Sequence, residues 1–418
     1  MTGVKSPIIL RHTKMPAPGE ERGGRRSVGF VNAASLRIAF FTECYHPIVN
    51  GIVAAVDGLA GALRARGHSV AMFTPRFPAT SAGEEVQIYR MPSLPLPMPT
   101  DYRLTLPVVA RRNRLTVLAR CSLIHTHSPF ITGWMGAHYA RRFGVPLVFT
   151  YHTRLDRYAH YAPIDPDVAR RLAAILTRTY ANAADAVTVP TRDIESQLRA
   201  VGVTARIEVI PSGIALERFA CAEATQSGRA RLGGNGPGLR LLTVSRLAQE
   251  KNLSLLLSML SRLPDDVTLA FAGDGPERER LEAAAHAAGL ARRARFLGEV
   301  ASEELPELYA SADAFVFSST SETQGLVLVE AMAAGLPVVA VEAPQTREVT
   351  KGAARLCPGD AQAMAAAVWS VAGDGEEGRR LREQGRCAAQ EYELTRIAGR
   401  VERLYRELRR EPLAPAAG

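Results

Sequence analysis

Short apolar strands alternate with helices along this chain, and the alternation restarts near its middle. In the first half, the runs that we interpret as strands are LRIAFFT, SVAMFT, SLIHT, PLVFTYH, AVTVP and IEVI. In the second half, they are LRLLTVS, VTLAFAG, ARFLG, AFVFSS and PVVAV. Strands that alternate with helices form parallel sheets covered by helices on both faces. The sequence therefore predicts the α/β class, as two Rossmann-like parallel-sheet domains with a ligand cleft between them.

The domain boundaries follow from the places where this alternation stops. Residues 1–35 are basic and show no apolar periodicity, so we expect a disordered extension there. The first domain should cover residues 36–212 and the second residues 239–394. The segment 213–238 between them ends in GGNGPG. We interpret it as a linker, because a strand follows these glycines where a dinucleotide-binding fingerprint would require a helix.

The cysteine and hydropathy patterns bear on where the protein works. Its five cysteines are scattered without Cys-x-x-Cys spacing, which is typical of a reducing compartment and argues against a disulfide framework or structural zinc. No run of about 18 apolar residues is present, so we expect no membrane-spanning helix. The first residues also lack the apolar core of a secretory signal. These features predict a cytoplasmic protein.

Positive charge is concentrated in the first half of the chain. Residues 1–210 hold 26 Lys and Arg against 14 Asp and Glu, whereas the remainder holds 25 against 28. Residues 102–178 alone contain 12 arginines and three aspartates. A basic face indicates an anionic partner, either a membrane surface or nucleic acid. The alternative is an arginine-rich surface that contacts only water.

The segment from Pro107 to Arg120 mixes basic and apolar residues in the manner of an interfacial helix. We therefore place the predicted contact with anionic lipid there, on the inner face of the membrane. The alternative is that this helix packs on the sheet and leaves its arginines in water. Nucleic acid is disfavoured as the partner, because aromatic residues for base stacking make up only 6% of the chain.

Two carboxylates lie eight positions apart near the end of the second half. Glu322 follows an apolar strand, and Glu330 lies about one and a half turns inside the helix opened by Gly325. Amide groups at a helix N-terminus attract a diphosphate. A carboxylate inside the helix can accept hydrogen bonds from a ribose diol, and one at its mouth can hold sugar hydroxyls. The pair predicts a nucleotide-sugar site, although glutamates at this spacing also occur on solvated helices.

Two cations and one glycine extend this prediction. Arg246 and Lys251 follow the first strand of the second half, where they can neutralise a diphosphate leaving group without a metal ion. The alternative is a pair of solvated basic residues in a loop. Gly51 follows Asn50 at the start of a helix, which allows close backbone approach to a ligand, although Asn-Gly alone also marks a simple turn.

Histidines and aspartates are the candidate metal ligands of this sequence. His152 ends a strand, where a structural histidine is common. His125 and His127 form a His-x-His, but no further ligands with suitable spacing follow, so we predict structural or cleft-lining histidines and no zinc site. Asp165 and Asp167 precede a helix and are interpreted as capping residues. The sequence thus predicts no metal site.

These motifs together resemble the retaining family 4 glycosyltransferases of the GT-B fold. The segments that carry the resemblance are HTHSPF, FTYHTRLDRYAHY, VSRLAQEKN and SETQGLVLVEAMA. They are most similar to bacterial diacylglycerol glucosyltransferases and related lipid glycosyltransferases. The resemblance implies metal-independent transfer of a hexose from UDP-glucose or GDP-mannose, with retention, to an acceptor such as a membrane lipid. It implies no cofactor besides the nucleotide sugar.

The resemblance also assigns roles to the candidate residues. Arg246 and Lys251 would stabilise the departing diphosphate, and His152 would line the anomeric centre. The remaining donor contacts would come from Glu322 and the Gly325 and Leu326 amides for the sugar, Glu330 for the ribose, and Gly51 for the phosphates. In this fold a final helix, here about residues 395–410, crosses back to the first domain.

Three other functions remain open at this point. A GDP-mannose-dependent mannosyltransferase acting on a soluble or phospholipid acceptor would share every donor residue. A nucleotide-sugar epimerase of the same architecture would form product without an acceptor. A non-enzymatic nucleic-acid binder would explain the charge but not the nucleotide-sugar residues.

Overall fold

The computed structural model describes residues 35–48, 50–78, 87–96, 103–107, 112–156, 165–234, 236, 238–373 and 375–410. The predicted N-terminal extension therefore lies outside the described residues, apart from Ser35. The described residues from Leu36 onward form one compact unit.

The first half of the chain builds one large parallel sheet. The strands of this half are β1 Arg37–Phe41, β2 Ser69–Pro75, β3 Ile88–Met91, β4 Ser93–Pro95, β5 Arg103–Thr105, β6 Leu123–Thr126, β7 Leu147–Thr150, β8 Ala186–Val189 and β9 Ile207–Val209. Seven of them pair in the order β3-β2-β1-β6-β7-β8-β9, and β4 pairs antiparallel with β5. The helices between them are α1 Gly51–Ala65, α2 Arg112–Ala119, α3 Ile131–Phe143, α4 Pro166–Ala181 and α5 Arg192–Ala200.

The second half builds a separate parallel sheet of six strands. These are β10 Arg240–Val244, β11 Thr268–Ala272, β12 Ala294–Gly298, β13 Ala314–Phe317, β14 Val338–Val341 and β15 Ala354–Cys357, in the order β12-β11-β10-β13-β14-β15. The helices are α6 Glu217–Ala220, α7 Gln226–Leu232, α8 Leu253–Leu260, α9 Arg278–Ala287, α10 Leu305–Ser311, α11 Leu326–Ala333, α12 Pro344–Thr350, α13 Ala361–Val371, α14 Glu376–Ala389 and α15 Leu394–Arg410.

The two parallel sheets confirm the predicted fold class. Strands buried on both faces of a parallel sheet need nearly continuous apolar runs. β8 and β14 meet this requirement, because every residue in each is buried. Each predicted strand is present, whereas the edge strands β3 and β15 carry polar residues and were not predicted.

The last helix returns to the first sheet. α15 packs against α1, and its apolar residues at helical spacing join the core beneath β1 and β2. Those residues are Ile397, Val401, Leu404, Tyr405 and Leu408. On the same face, Glu402 accepts a hydrogen bond from Arg66 Nε at 2.7 Å. The apolar stripe explains why this helix docks on the first half although it follows the second in sequence.

The segment 213–238 is more ordered than a simple linker. It contains α6 and α7, and Phe219 and Leu232 of these helices are buried in the core of the second sheet. The glycine-rich end precedes β10, as the prediction required. The segment therefore packs as part of the second half over much of its length.

The structure describes only part of the predicted interfacial segment between Pro107 and Arg120. Residues 108–111 lie outside the described part of the chain, and α2 covers residues 112–119. Leu118 is fully buried and Arg114 is only 5% exposed, so neither side chain is available to lipid. Leu118 belongs to the same core cluster as Leu147, whereas Leu115 and Val117 are half-buried and Arg120 is exposed, so the predicted lipid contact of this segment stays a prediction.

Candidate active site

The candidate site lies at the carboxyl ends of the central strands of the second sheet. β10 and β13 are neighbours, but the chain continues from β10 to β11 on one side and from β13 to β14 on the other. Loops that leave two such strands diverge and open a crevice, which is where open α/β sheets bind ligands. Arg246 and Lys251 follow β10, whereas Glu322, Gly325 and Leu326 follow β13. The strand order thus brings these predicted donor residues to one crevice.

An ion pair joins the two loops. Nζ of Lys251 lies 2.6 Å from Oε1 of Glu322, and these side chains are only 15% and 20% exposed. Two serine hydroxyls add backbone links, because Ser318 donates to the Lys251 carbonyl at 2.7 Å and Ser321 donates to the Glu250 carbonyl at 3.0 Å. A cation and a carboxylate are therefore held side by side, where a phosphate and a sugar hydroxyl would each find a partner.

Arg246 is exposed and has no ion-pair partner among the described residues. Its loop is nevertheless fixed, because the Leu247 amide donates to the Asp274 carbonyl at 2.9 Å. Gly273 permits this contact. Its φ is +136°, and a Cβ there would lie 2.0 Å from the Ser245 carbonyl oxygen. The Arg246 guanidinium, which has no ion-pair partner among the described residues, is thus carried by a loop held in place by a backbone hydrogen bond.

The amino end of α11 is open toward the same crevice. Gly325 precedes the helix with φ +82°, a conformation that residues with a Cβ rarely adopt. No side chain caps the helix, so the first amides from Leu326 onward have no side-chain acceptor. Unpaired amides at a helix N-terminus favour an anion. This end of α11 therefore adds a second source of positive potential beside Lys251.

Glu330 lies deeper in α11 and is partly buried. Its Oε2 accepts a hydrogen bond from the Tyr309 hydroxyl at 2.8 Å. Burial raises the pKa of Glu330, while the Tyr309 hydrogen bond and the Arg218 charge oppose that rise. Its Oε1 has no partner in the described part of the chain, which leaves one oxygen for a ligand diol. Sequence reasoning did not identify Tyr309, because its helix is far from Glu330 in sequence.

His152 follows β7 on the first sheet, and its Nε2 lies 3.0 Å from Nδ1 of His127. Burial lowers the pKa of His152 to about 4 and contributes most to lowering that of His125 to about 3. The pKa of His127 falls well below its ordinary value, chiefly from burial. All three imidazoles are thus neutral near pH 7, and a neutral ring can exchange hydrogen bonds with a sugar hydroxyl.

Contacts across the cleft connect His152 to the second sheet. Thr323 Oγ1 donates to the His152 carbonyl at 2.9 Å, and Thr191 Oγ1 donates to the Thr323 carbonyl at 3.1 Å. The Gln324 amide makes two hydrogen bonds with the Ser212 backbone, at 2.8 and 3.0 Å. The loop that carries Glu322 is therefore seated on the strand ends of the first sheet. Neither threonine nor Gln324 was predicted as a site residue.

Gly51 is the first residue of α1, on the first-sheet side. Asn50 caps this helix, because its Oδ1 accepts hydrogen bonds from the Ile52 and Val53 amides, both at 3.0 Å. A Cβ placed at Gly51 would meet no atom within 4 Å. Packing therefore does not require glycine at this position.

A polar cluster in the loop that leads to Gly51 was not predicted. Asp57 of α1 accepts a hydrogen bond from the Tyr45 hydroxyl and pairs with Nε2 of His46. Arg90 donates to the His46 carbonyl at 2.7 Å, and its guanidinium lies 5.6 Å from the centre of the Tyr45 ring. No local pattern indicates this cluster, because Asp57 occupies an ordinary half-buried position of an amphipathic helix.

The groups considered for metal binding have other partners. Asp165 caps α4, because its Oδ1 accepts from the amides of Asp167 and Val168 at 2.9 and 3.1 Å, which confirms the predicted capping role. His125 is hydrogen-bonded through both ring nitrogens, to Tyr405 and Thr150. In the described ranges, no three His, Cys, Asp or Glu side chains form a candidate metal site. None of the described helices has the length and apolar character needed to cross a bilayer.

Family models match both halves of the chain. The model described as Glycosyltransferase Family 4 matches residues 49–218, and the model described as Glycosyl transferases group 1 matches residues 226–387. An alpha-monoglucosyldiacylglycerol synthase from Streptococcus pneumoniae is 32% identical over 312 residues, which cover 73% of this chain and 71% of that protein. A GDP-mannose-dependent alpha-mannosyltransferase from Mycobacterium tuberculosis is 32% identical over 319 residues, covering 75% and 81%.

Solved structures share the same arrangement of two sheets. A sucrose-phosphate synthase from Thermosynechococcus elongatus matches with a TM-score of 0.71 at 25% identity, over 89% of this chain and 98% of that chain. The Anabaena protein HepE, solved with UDP, matches with a TM-score of 0.71 at 21% identity, over 89% and 100%. These likenesses confirm the GT-B fold.

Proposed function

The chain belongs to glycosyltransferase family 4, and on that premise we propose that it transfers a hexose from a nucleotide diphosphate sugar to a membrane lipid, with retention and without a metal ion. The observation that carries this proposal is the Lys251–Glu322 pair at the open amino end of α11, beside the unpaired Arg246. Together they offer cations for a diphosphate and a carboxylate for sugar hydroxyls within one crevice.

The cations act on the leaving group. As the bond between the anomeric carbon and the diphosphate oxygen breaks, negative charge grows on that oxygen. Arg246, Lys251 and the first amides of α11 stabilise this charge, and fixed donors need no reorganisation to do so. No cofactor is required, because the nucleotide sugar supplies the activated hexose.

The carboxylates and His152 orient the donor. Glu322 holds the sugar together with the Gly325 and Leu326 amides, and Glu330 holds the ribose. His152 lines the anomeric centre as a neutral imidazole. We assign no protein nucleophile. The acceptor hydroxyl bonds to the anomeric carbon on the face that the diphosphate leaves, and its proton passes to the departing phosphate oxygen.

A mannosyltransferase that uses GDP-mannose is the second candidate, supported by the 32% identical mycobacterial relative. Thermal shift with UDP-glucose and GDP-mannose separates the two donors. Incubation of the stabilising donor with diacylglycerol or phosphatidylinositol vesicles then identifies the acceptor class. Transfer to neither lipid, with conversion of the donor sugar alone, would instead indicate an epimerase.

The lipid acceptor requires a surface for the bilayer, and α4 supplies one among the described residues. Val168, Leu172 and Ile175 lie on one face of α4 and are 47%, 53% and 51% exposed. Arg171 and Arg178 are exposed beside this stripe, with no ion pair in the described part of the chain. An apolar stripe flanked by free arginines suits an anionic headgroup layer. We therefore propose that α4 contacts the membrane.

The double variant Leu172→Asp/Ile175→Asp should lose binding to anionic vesicles. Each basic residue near an anionic surface contributes about 1 kcal/mol, and salt screens this attraction. The wild-type protein should therefore co-sediment with phosphatidylglycerol vesicles at low salt and less at high salt. Trp369→Ser is the matched control, because Trp369 is 60% exposed on α13 of the second half. Equal sedimentation with neutral and anionic vesicles, or with neither, would refute this surface.

Gly51→Ala should lower turnover at least about tenfold while leaving the melting temperature unchanged or slightly raised. Alanine is favoured over glycine in a helix by about 0.8–1 kcal/mol, and no atom lies where the new methyl would point. The loss would arise because the methyl blocks close approach of the donor phosphates. Gly61→Ala is the control, since Gly61 is an open position of the same helix. Full activity of Gly51→Ala would show that the donor phosphates do not require glycine at this position.

A further inference from the structure

Three histidines lie side by side, with tilted rings, toward the carboxyl ends of β6 and β7, and only His152 has a role in the proposed reaction. His127 lies between the other two, with its ring centroid 4.3 Å from that of His125 and 5.3 Å from that of His152. The edge of Phe40 also contacts it, at 4.7 Å between centroids. His127 is only 4% exposed, so substrate does not reach most of its surface.

The neighbours of His127 hold it in one orientation. His125 is anchored at both ring nitrogens, because Nδ1 lies 2.5 Å from the Tyr405 hydroxyl and Nε2 lies 2.6 Å from Thr150 Oγ1. Tyr405 belongs to α15, the helix that returns from the second half. The His127 ring therefore packs against His125, whose position is fixed, and against Phe40. Its only hydrogen bond in the described structure is to His152.

The hydrogen bonds distinguish between the two possible tautomer pairs. If His152 donated from Nε2, the His127 proton would lie on its own Nε2, which is buried and has no acceptor. If His127 donates from Nδ1, its Nε2 is a bare acceptor. Buried orphan N–H groups are rarer than under-used acceptors, so the second arrangement is favoured. It leaves the His152 proton on Nδ1, which has no partner among the described residues.

We propose that His127 is a positioning residue that holds His152 as its Nδ1–H tautomer, so that His152 acts toward the transferred sugar as a hydrogen-bond donor. The donor role follows because Nε2 of His152 is occupied by His127, which leaves Nδ1–H as the only ring position for a sugar oxygen. The sugar contact rests on the proposed function, whereas the tautomer is a property of the protein itself.

The kinetic test uses two variants of His127. His127→Asn places an amide N–H near the position of Nδ1 and should keep kcat within about threefold of the wild-type value. His127→Leu removes the donor and should lower kcat about ten- to a hundredfold with little change in the donor KM, because His152 is no longer oriented. Thermal melting of both variants shows whether the fold is retained. Equal losses in the two variants would refute a role for the donated hydrogen bond.

A double-mutant cycle separates positioning from simple packing. In a His152→Ala background, His127→Leu should lower kcat by less than about twofold further, because its effect passes through His152. The same loss in both backgrounds would overturn the proposal. The turnover assay follows release of nucleoside diphosphate from whichever of UDP-glucose and GDP-mannose stabilises the protein, with diacylglycerol vesicles present.

The tautomer itself can be measured without any activity. Long-range proton–nitrogen NMR of protein labelled in its nine histidines should show His152 protonated at Nδ1, with the His152 signals assigned by the His152→Ala variant. In His127→Leu this tautomer preference should be lost. An Nε2–H tautomer of His152 in the wild-type protein would overturn the inference. This measurement stands even if neither nucleotide sugar is a substrate, so the two failures are distinguishable.

Discussion

Replacing Arg246 by alanine is expected to lower turnover about 10²–10³-fold, the scale for losing one preorganised charge stabiliser. Arg246 is exposed and unpaired among the described residues, so its removal disturbs no ion pair. Lys251→Ala should give a loss of similar size. That variant also leaves the carboxylate of Glu322 without its cation at 2.6 Å, which makes Arg246 the cleaner test. Steady-state rates at saturating donor measure the effect.

Arg292→Ala is the matched control for this experiment. Arg292 is also exposed, but it precedes β12. It therefore lies at the amino ends of the parallel strands, whereas Arg246 lies at their carboxyl ends. Its removal changes the net charge equally and should leave turnover within about twofold. We also expect EDTA to leave the wild-type rate unchanged, because the cations do the work of a metal ion. Full activity of Arg246→Ala, or a requirement for Mg²⁺ or Mn²⁺, would refute the proposed clamp.

Glu330→Gln is expected to weaken binding of the bare nucleoside diphosphate about ten- to a hundredfold. A hydrogen bond to a charged group contributes about 1.5–3 kcal/mol, and glutamine offers a ribose diol a neutral acceptor in place of the carboxylate. Glu322→Gln should lower turnover without reducing this affinity, because its proposed contacts are to the sugar and not to the diphosphate. Calorimetry with UDP or GDP measures both. Equal losses of affinity would contradict the division of roles.

The affinity for nucleoside diphosphate should also depend on pH through Glu330. Burial raises the pKa of this carboxyl above its ordinary value of 4.5, so the acceptor form is lost as the pH falls through that raised value. The hydrogen bond from Tyr309 opposes the rise. Tyr309→Phe should therefore move the inflection to higher pH, which calorimetry across the acid range would detect. An unchanged inflection would show that the inflection does not arise from Glu330, which would contradict the proposed ribose contact.

The fold could be predicted because parallel strands buried on both faces leave continuous apolar runs in the sequence. AVTV and VVAV, which became β8 and β14, are of this kind. The edge strands IYRM and ARLC escaped prediction because an edge strand is less buried and tolerates polar residues. The strand order is also absent from local periodicity, since it depends on which distant strands pair.

The sequence pointed to candidate site residues, but it did not reveal the contacts between them. The spacing of Glu322 and Glu330 indicated a helix mouth, yet the pairing of Glu322 with Lys251 joins loops 71 residues apart. No local pattern contains such a contact. The same limit applies to Arg114, whose burial is set by tertiary packing and removes one of the arginines predicted to contact lipid. His127 was predicted to be a structural or cleft-lining histidine, but its bond to His152 could not be predicted, because that bond appears only in three dimensions.

The central claim is that hexose passes from a nucleotide sugar to a lipid with retention, through protein cations alone. The most direct measurement is proton NMR of the glycolipid formed from UDP-glucose or GDP-mannose and lipid vesicles in the presence of EDTA. Both donors carry an α-linked sugar, so the account predicts an α-linked product at an undiminished rate. A β-linked product, or transfer that begins only when a divalent metal is added, would contradict it.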